Sequence, residues 1–301
     1  MTVPTFLVIG AAKSGTTSLY HYLRQHPEIF VSPVKEPQFF AFEGMTPDFR
    51  GPGDEELNAS AVTSIEEYEA LFAGHSNEKA VGEMSQFYLY CDGTTARVRR
   101  RLPDVKLVVV LRDPAERAFS HYLMKLRLGV EPLASFEDAL EVEKDRIRTH
   151  WSPGWHYGER GFYYRQLAPY FSEFDRRQIA VYLYEDLAGR PLEMLADLFR
   201  FLEVDDTFVP DVSARHNEAR SVPRSDRLES FLTGPNTLRS AVASLLPVPV
   251  RRRVVRTAFA LNRARPAASK ACRERLRAAY RDDILLLEGL IDRDLSPWLR
   301  P

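Results

Sequence analysis

An N-terminal segment of the chain has the residue types and the spacing that suit the binding of an anion. Gly10 and Gly15 are separated by four residues, and the loop between them carries a single cation, Lys13. An apolar run at residues 6–9 precedes the loop and a helical pattern follows it, so backbone N–H groups and a helix dipole both direct positive charge at the loop. The segment therefore predicts a strand, an anion-binding loop and a helix, with phosphate or sulfate as the ligand.

The loop has the glycine spacing of a Walker A motif but places its cation differently. A nucleotide triphosphatase carries lysine directly after the second glycine, whereas this chain has a threonine there. Four consecutive residues are predicted to donate hydrogen bonds to the anion from their backbone N–H groups: Ser14, Gly15, Thr16 and Thr17. Capping of the helix is the alternative role of their hydroxyls, and the two roles are compatible. In either case Lys13 supplies the positive side chain of the loop.

A second cation follows a later apolar run. Residues 107–111 are apolar, Arg112 comes directly after them, and the helical pattern that follows carries Ser120. The planar guanidinium group of arginine matches the oxygens of a phosphate group. From the residues alone, an ion pair of Arg112 with Asp113 or Glu116 remains an alternative, and for Ser120 the alternative is an ordinary helix-face serine.

The two segments together resemble sulfotransferases that use 3′-phosphoadenosine 5′-phosphosulfate (PAPS). Residues 10–17, Gly-Ala-Ala-Lys-Ser-Gly-Thr-Thr, look like the family's 5′-phosphosulfate loop, and residues 107–122 look like its strand-loop-helix for the 3′-phosphate. Both occur in the family's order, which is more specific than either alone. The likeness is to the carbohydrate branch, which includes heparan sulfate sulfotransferases. It implies an α/β fold with a central, mainly parallel sheet flanked by helices, as in P-loop-containing sulfotransferases.

This resemblance implies a role for each residue of the donor site. Lys13 would contact the bridging oxygen and stabilise the departing 5′-phosphate, which residues 14–17 would hold. Arg112 and Ser120 would hold the 3′-phosphate, and Arg220, in an Arg-x-x-Pro sequence like that of the family's late loop, would reach it from the other side. The implied cofactor is PAPS, with adenosine 3′,5′-bisphosphate as product and no metal required.

Glu36 is the predicted general base. It lies in Lys-Glu-Pro-Gln-Phe-Phe at residues 35–40, which resembles the Glu-x-x-Phe-Phe element that supplies the catalytic carboxylate in carbohydrate sulfotransferases. A carboxylate beside the acceptor hydroxyl accepts its proton as the sulfur transfers. An ion pair with Lys35 or a plain surface charge is the alternative interpretation of Glu36. Lys35 itself is either a sulfate ligand or a solvated cation.

Glu83 stands where carbohydrate-branch enzymes often carry Glu-Lys, but the next residue here is Met84. That departure weakens any transfer of the acceptor type from the glycan enzymes. Three roles stay open for Glu83: orientation of Lys13, contact with the acceptor, and a buried ion pair. The aromatic segment at residues 151–164 is interpreted as core packing, with an acceptor pocket as the alternative.

Hydrophobic periodicity places the motifs on strands that alternate with helices, which predicts βαβ units and a parallel sheet. The predicted strands are residues 6–9, 29–31, 80–84, 106–111 and 179–184. The predicted helices are residues 16–25, 64–72, 94–102, 114–127, 135–148, 191–202 and 271–299, and residues 43–60 are predicted as a loop. The chain is interpreted as one domain, 1–301, with a loop and helical cap at 205–265. Within it, residues 228–262 are an amphipathic cap or a surface for a lipid or acidic acceptor.

Composition excludes several classes of function. The 301 residues carry a net charge of −1, so no global basic field indicates nucleic acid as a partner. Two cysteines are too few for a disulfide framework, and the histidines show no metal-ligand spacing. We found no secretory leader and no membrane-spanning run. We therefore expect a cytoplasmic protein, and the lack of the anchor typical of animal relatives indicates a bacterial one.

The predicted activity is transfer of a sulfuryl group from PAPS to an acceptor hydroxyl on a glycan, a lipid or a small-molecule natural product. The sequence does not choose among these acceptors, and it does not indicate an oligomeric state. Two alternatives remain: a nucleotide kinase with a divergent P-loop, and a nucleotide-binding module without catalysis. The kinase would need a lysine after Gly15 and an acidic Mg²⁺ ligand on a later strand. The predicted strand at residues 108–111 is instead followed by a cation, Arg112.

Overall fold

A computed structural model describes residues 4–214, 222–223, 263–264 and 268–300. Its centre is a five-stranded sheet in the order β2-β3-β1-β4-β5, in which every neighbouring pair is parallel. The strands are β1 (Phe6–Gly10), β2 (Ile29–Val31), β3 (Ala80–Met84), β4 (Lys106–Leu111) and β5 (Ile179–Leu183). The predicted α/β class and parallel sheet are confirmed.

Helices connect the strands and cover both faces of the sheet. They are α1 (Thr16–Leu23), α2 (Phe39–Phe42), α3 (Asp54–Ser60), α4 (Ile65–Ala70), α5 (Thr94–Arg101), α6 (Pro114–Arg127), α7 (Phe136–Glu141), α8 (Glu143–Arg148), α9 (Tyr163–Glu173), α10 (Tyr184–Gly189), α11 (Pro191–Leu202), α12 (Lys270–Ile291) and α13 (Ser296–Leu299). Two short strands, β6 (Val222–Pro223) and β7 (Arg263–Ala264), form a separate antiparallel pair.

Alternate residues of the central strands point into two different cores. Leu107 and Val109 of β4 lie in one core, while Val108 and Val110 lie in the other, and all four are fully buried. This follows from the two-residue period of a strand and from the burial of a parallel sheet on both faces. The carboxyl ends of β1, β3 and β4 therefore lie side by side. The loops after β1 and β4 carry Lys13 and Arg112, and the loop after β2 brings Glu36 to the end of β3.

Three segments differ from the sequence predictions. The helix predicted at residues 135–148 is two helices, because the chain turns at Val142 and the Glu143 carboxylate faces inward, where it accepts from the N–H groups of Gly158 and Glu159 at 2.6 and 2.7 Å. The loop predicted at residues 43–60 contains α3. Its first residue, Asp54, is buried and accepts hydrogen bonds at both carboxylate oxygens.

The helix predicted at residues 271–299 also ends early, since Asp292 takes a left-handed conformation (φ 53°) that separates α12 from α13. Most of the predicted loop and cap at residues 205–265 lies outside the described residues, which in this range are 205–214, 222–223 and 263–264. No helix of the described ranges is long and apolar enough to span a bilayer. The cellular location stays a prediction.

Candidate active site

The anion-binding loop connects β1 to α1 as the sequence predicts. Gly15 is the N-cap residue of α1, has φ +89°, and offers no side chain to cap the helix. A Cβ atom at Gly15 would lie 2.7 Å from the Leu187 Cδ2 atom of α10. The backbone conformation therefore favours glycine, and any larger residue would also displace the Leu187 side chain. The result is a helix N-terminus without a side-chain cap, which is the arrangement that suits a bound anion.

Buried hydroxyl groups surround this helix N-terminus. Ser14 is fully buried, and its Oγ atom has no hydrogen-bond partner among the described residues. Thr16 is also buried, whereas Thr17 is half-buried. A buried hydroxyl without a partner costs stability unless a ligand satisfies it. The Ser14 hydroxyl thus fits an oxygen of a bound phosphate or sulfate group.

Lys13 lies inside the loop, in a left-handed conformation with φ 65°. Burial lowers the pKa of its ammonium group to about 8, and the nearby cations Arg127 and Arg112 act in the same direction, while Glu36 opposes them. The Arg112 guanidinium donates to the backbone carbonyl of Lys13 at 3.3 Å. The two predicted donor-binding cations are therefore brought together. Positive charge is concentrated where a polyanionic ligand would neutralise it.

Arg112 has no competing ion pair with the acids next to it in the sequence. Asp113 caps α6 and accepts from the N–H groups of Ala115 and Glu116 at 2.8 and 3.1 Å, and the Glu116 carboxylate lies 3.7 Å from Arg273. The Arg112 guanidinium instead stacks on the ring of Tyr184, 4.8 Å from its centroid. The alternative interpretation of Arg112 as an ion-pair partner of these acids is wrong.

Of the other two predicted 3′-phosphate ligands, Ser120 is among the described residues and Arg220 is not. Ser120 lies in the second turn of α6 and is half-buried. Arg220 lies outside the described residues. The short strand β6 begins two residues after it and contacts α6, the helix that carries Ser120. The assignment of Arg220 to the donor site stays a prediction.

Glu36 lies beside the carboxyl end of β3. Its backbone N–H donates to the Met84 carbonyl at 2.9 Å, and its φ of 60° turns the chain sharply there. The Oε1 atom of its carboxylate lies 2.7 Å from Lys35 Nζ, and the Oε2 atom accepts from Gln86 Nε2 at 2.8 Å. The ion pair with Lys35 is present, and 27% of the Glu36 side chain stays exposed, so the carboxylate remains open to an acceptor.

The segment after Glu36 is fixed by a buried network around Glu83. Ser85 Oγ donates to Glu83 at 2.8 Å and accepts from the Gln38 N–H at 3.0 Å, while Tyr68 donates to Glu83 at 3.3 Å. Burial raises the pKa of Glu83 to about 7. No cation of the described residues forms an ion pair with Glu83, so the predicted buried ion pair is not formed there. Glu83 holds the loop of Glu36 in place.

Sequence reasoning missed two residues beside the candidate base. Gln86 bonds to Glu36, and the buried Arg160 bonds to Gln86. Arg160 falls in the aromatic segment at residues 151–164, whose members Trp155, Tyr157 and Tyr163 are core residues as interpreted. No sequence pattern links position 86 to position 160, because the contact depends on how the turn before α9 packs. The described residues contain no cluster of metal-ligating side chains.

Comparisons with known proteins agree with this fold. The model of the sulfotransferase family matches residues 4–208. A solved sulfotransferase structure from Alicyclobacillus acidocaldarius superimposes with a TM-score of 0.79 and 35% identity, covering 100% of both chains. The chain therefore belongs to the sulfotransferase family, and the predicted resemblance is confirmed.

Curated relatives match parts of the chain. The membrane-associated sulfotransferase kil1 of Dictyostelium discoideum is 34% identical over 155 residues, which are 49% of this chain and 29% of that protein. The heparan sulfate glucosamine 3-O-sulfotransferase 3B1 of Mus musculus is 26% identical over 223 residues, 73% of this chain and 51% of that protein. The chain thus spans only about a third to a half of the length of these relatives. Their acceptors remain properties of those proteins.

Proposed function

We propose that this sulfotransferase takes its sulfuryl group from PAPS and transfers it to a hydroxyl group of a glycan, a lipid or a small natural product. The observation that carries the proposal is the meeting of three groups at one edge of the sheet. Lys13 is a half-buried cation at an uncapped helix N-terminus, Arg112 bonds to its backbone, and the electrostatic influence of the Glu36 carboxylate reaches the same lysine. These are a leaving-group stabiliser, a phosphate ligand and a base.

The described residues fit the doubly phosphorylated donor. The Ser14 hydroxyl and the N-terminus of α1 are suited to one phosphate group, and Arg112, which follows the neighbouring strand β4, is suited to the other. Bound PAPS supplies a sulfur atom attached to a phosphate leaving group. Three further cations, Arg127, Arg112 and Lys35, act electrostatically on Lys13, so the bound donor would meet a site of opposite charge.

The residues of the chain perform three tasks in the transfer. Glu36 accepts the proton of the acceptor hydroxyl as the new sulfur–oxygen bond forms. Lys13 donates a hydrogen bond to the bridging oxygen, which keeps the electron pair of the breaking sulfur–oxygen bond and leaves as the 5′-phosphate. The N-terminus of α1 stabilises the negative charge that accumulates on that phosphate. The acceptor thus loses its proton to Glu36 and gains the sulfuryl group that the donor releases.

The proposal is tested by transfer of ³⁵S from labelled PAPS to a panel of glycans, glycolipids and phenols. The unmodified enzyme is expected to label at least one acceptor, and Lys13→Ala and Glu36→Gln are each expected to lose about 100-fold or more in kcat. Lys79→Ala is the matched control, since Lys79 is exposed, pairs with Glu28 and precedes β3 at the opposite edge of the sheet. Binding of the donor without transfer to any acceptor or to water would instead support a non-catalytic module.

A further inference from the structure

Lys35 contacts one oxygen of the Glu36 carboxylate, and the other oxygen accepts a short hydrogen bond from Gln86 and a longer one, 3.4 Å, from Gln38. Gln86 donates from Nε2 to the Oε2 atom of Glu36 at 2.8 Å, and Arg160 donates from Nη2 to the Oε1 atom of Gln86 at 3.1 Å. We propose that Gln86 and Arg160 form a positioning relay that aims the Glu36 carboxylate at the acceptor hydroxyl. The relay rests on the proposed role of Glu36 as base. Neither residue touches reacting atoms, so both act through Glu36.

The chemistry of the three side chains permits only one arrangement. A guanidinium group can only donate hydrogen bonds, and an ionised carboxylate can only accept them. Gln86 lies between the two, so its amide oxygen must face Arg160 and its amide nitrogen must face Glu36. The amide of Gln86 therefore cannot flip without losing both bonds. By binding the amide oxygen of Gln86, Arg160 directs its amide nitrogen toward Glu36.

Arg160 is unusual because it is buried without a carboxylate partner among the described residues. It is 3% exposed, and its guanidinium lies over the rings of Phe87 and Tyr90, with distances of 5.1 and 5.7 Å to their centroids. Its hydrogen bonds go to Gln86 and to the Pro153 carbonyl at 3.3 Å. Burial lowers the pKa of this guanidinium to about 10, which shows that burial of its charge is costly. Two of these bonds end on backbone carbonyls, those of Gln86 and Pro153, and the third ends on the side-chain oxygen of Gln86.

The position of Arg160 is fixed by the C-terminal helix. Arg160 occupies a short turn, Glu159–Gly161, and Tyr280 of α12 donates to the Gly158 carbonyl at 2.8 Å. A Cβ atom at Gly161 would lie 2.5 Å from the Tyr280 ring, so the turn packs directly on that ring. The aromatic stack and the Tyr280 contact leave the guanidinium little freedom. The relay thus connects α12, far away in sequence, to the candidate base.

The test compares Gln86→Leu, Arg160→Met and the double variant, with Arg165→Met as control. Arg165 is an exposed arginine of α9 that pairs with Glu159, so it matches Arg160 in type and neighbourhood without joining the relay. Steady-state transfer from PAPS to the best acceptor of the panel gives kcat, and single-turnover transfer gives the rate constant of the chemical step. Titration with adenosine 3′,5′-bisphosphate measures whether the donor site is intact, and thermal unfolding measures whether the fold is.

The relay predicts that each single variant loses about tenfold or more in kcat while its Kd for adenosine 3′,5′-bisphosphate stays within about twofold. The double variant should lose no more than the worse single variant, since Arg160 acts through Gln86. Additive losses, or unchanged kcat in a folded Gln86→Leu, would overturn the proposal. An enzyme inactive before substitution would count against the proposed function only.

Crystal structures with adenosine 3′,5′-bisphosphate test the relay without any turnover. Glu36 should occupy one rotamer in the unmodified protein and in Arg165→Met, and it should swing toward Lys35 or occupy several rotamers in Gln86→Leu. Arg160→Met should release the Gln86 amide. A Glu36 side chain that stays in the same rotamer in both relay variants would overturn the proposal, whatever the kinetics show. If Arg160→Met is too unstable to assay, the structure of Gln86→Leu alone decides.

Discussion

At the scale of single residues, the site is a small set of charges whose protonation is set by burial. Lys13 is held with a lowered pKa near 8 because it is buried next to Arg112 and Arg127. Glu83 is held with a raised pKa near 7 because its carboxyl group is fully buried and its neighbours are hydroxyl groups. The first group is the proposed contact with the donor, while the second supports the loop that carries the proposed base. Each makes a different property of the protein depend on pH.

The lowered pKa of Lys13 predicts proton uptake when the donor product binds. Phosphate groups favour the ammonium form, so a lysine that is partly neutral above pH 8 gains a proton as adenosine 3′,5′-bisphosphate binds. Calorimetry in two buffers of different ionisation enthalpy should show a substantial fraction of a proton taken up at pH 9 and less at pH 7.5, with weaker binding at pH 9. Lys13→Met should show no such increase. Equal uptake at pH 9 in both proteins would assign the proton to another group.

The raised pKa of Glu83 predicts that stability falls as pH rises. Between about pH 4.5 and 7 the unfolded chain releases the Glu83 proton while the folded protein keeps it, so the unfolded state binds fewer protons and the free energy of unfolding decreases with pH. The total loss from this group is about 3 kcal/mol, complete above pH 7. Glu83→Gln should flatten the profile by about that amount in urea unfolding from pH 5 to 8.

One control variant and the contribution of a second buried glutamate complete this measurement. The exposed substitution Glu173→Gln should leave the slope unchanged. Glu143, whose pKa burial also raises to about 7, should keep part of the slope in Glu83→Gln. A parallel profile in Glu83→Gln and in the unmodified protein would show that the buried Glu83 is ionised throughout.

At the scale of elements, the candidate site lies at the carboxyl ends of three parallel strands, β1, β3 and β4. Helices α5 and α12 hold the neighbouring segments in place through hydrogen bonds. Arg97 of α5 donates to the carbonyls of Phe40 and Ala41 at 2.6 and 3.0 Å and so holds α2, which follows Glu36. Tyr280 of α12 fixes the turn that carries Arg160. The position of α2, the helix next to Glu36, therefore depends on contacts with residues that are distant in sequence.

Gly161→Ala tests the contact between this turn and α12. The added Cβ atom would lie 2.5 Å from the Tyr280 ring, so the turn or the ring must move, and we expect a destabilisation of about 1–3 kcal/mol together with lower kcat. Gly289→Ala is the matched control on α12. Its Cβ atom would meet nothing within 4 Å, so the control should be neutral or stabilise by up to about 1 kcal/mol. Equal melting temperatures for the two variants would contradict the packing described for the turn.

At the scale of the whole molecule, sequence reasoning recovers what depends on local pattern. The apolar runs at β1 and β4, the glycine at the helix N-cap and Pro114 at the first turn of α6 each have a local cause, and their elements agree with the predictions. The break at Val142 and the burial of Asp54 do not, because distant backbone N–H groups decide them. The bond between Gln86 and Arg160 is of the same kind. It joins residues that are 74 positions apart, and only the packed sheet and α12 bring them together.

The proposed binding mode places the two phosphate groups of one nucleotide at two cationic centres, Lys13 and Arg112. Its most direct test is a calorimetric comparison of adenosine 3′,5′-bisphosphate with adenosine 5′-monophosphate, which lacks the 3′-phosphate. We predict micromolar or tighter binding of the bisphosphate and binding of the monophosphate weaker by at least about 30-fold, since each charged phosphate contact contributes roughly 2 kcal/mol. Equal affinity for the two nucleotides, or no binding of the bisphosphate, would contradict this binding mode.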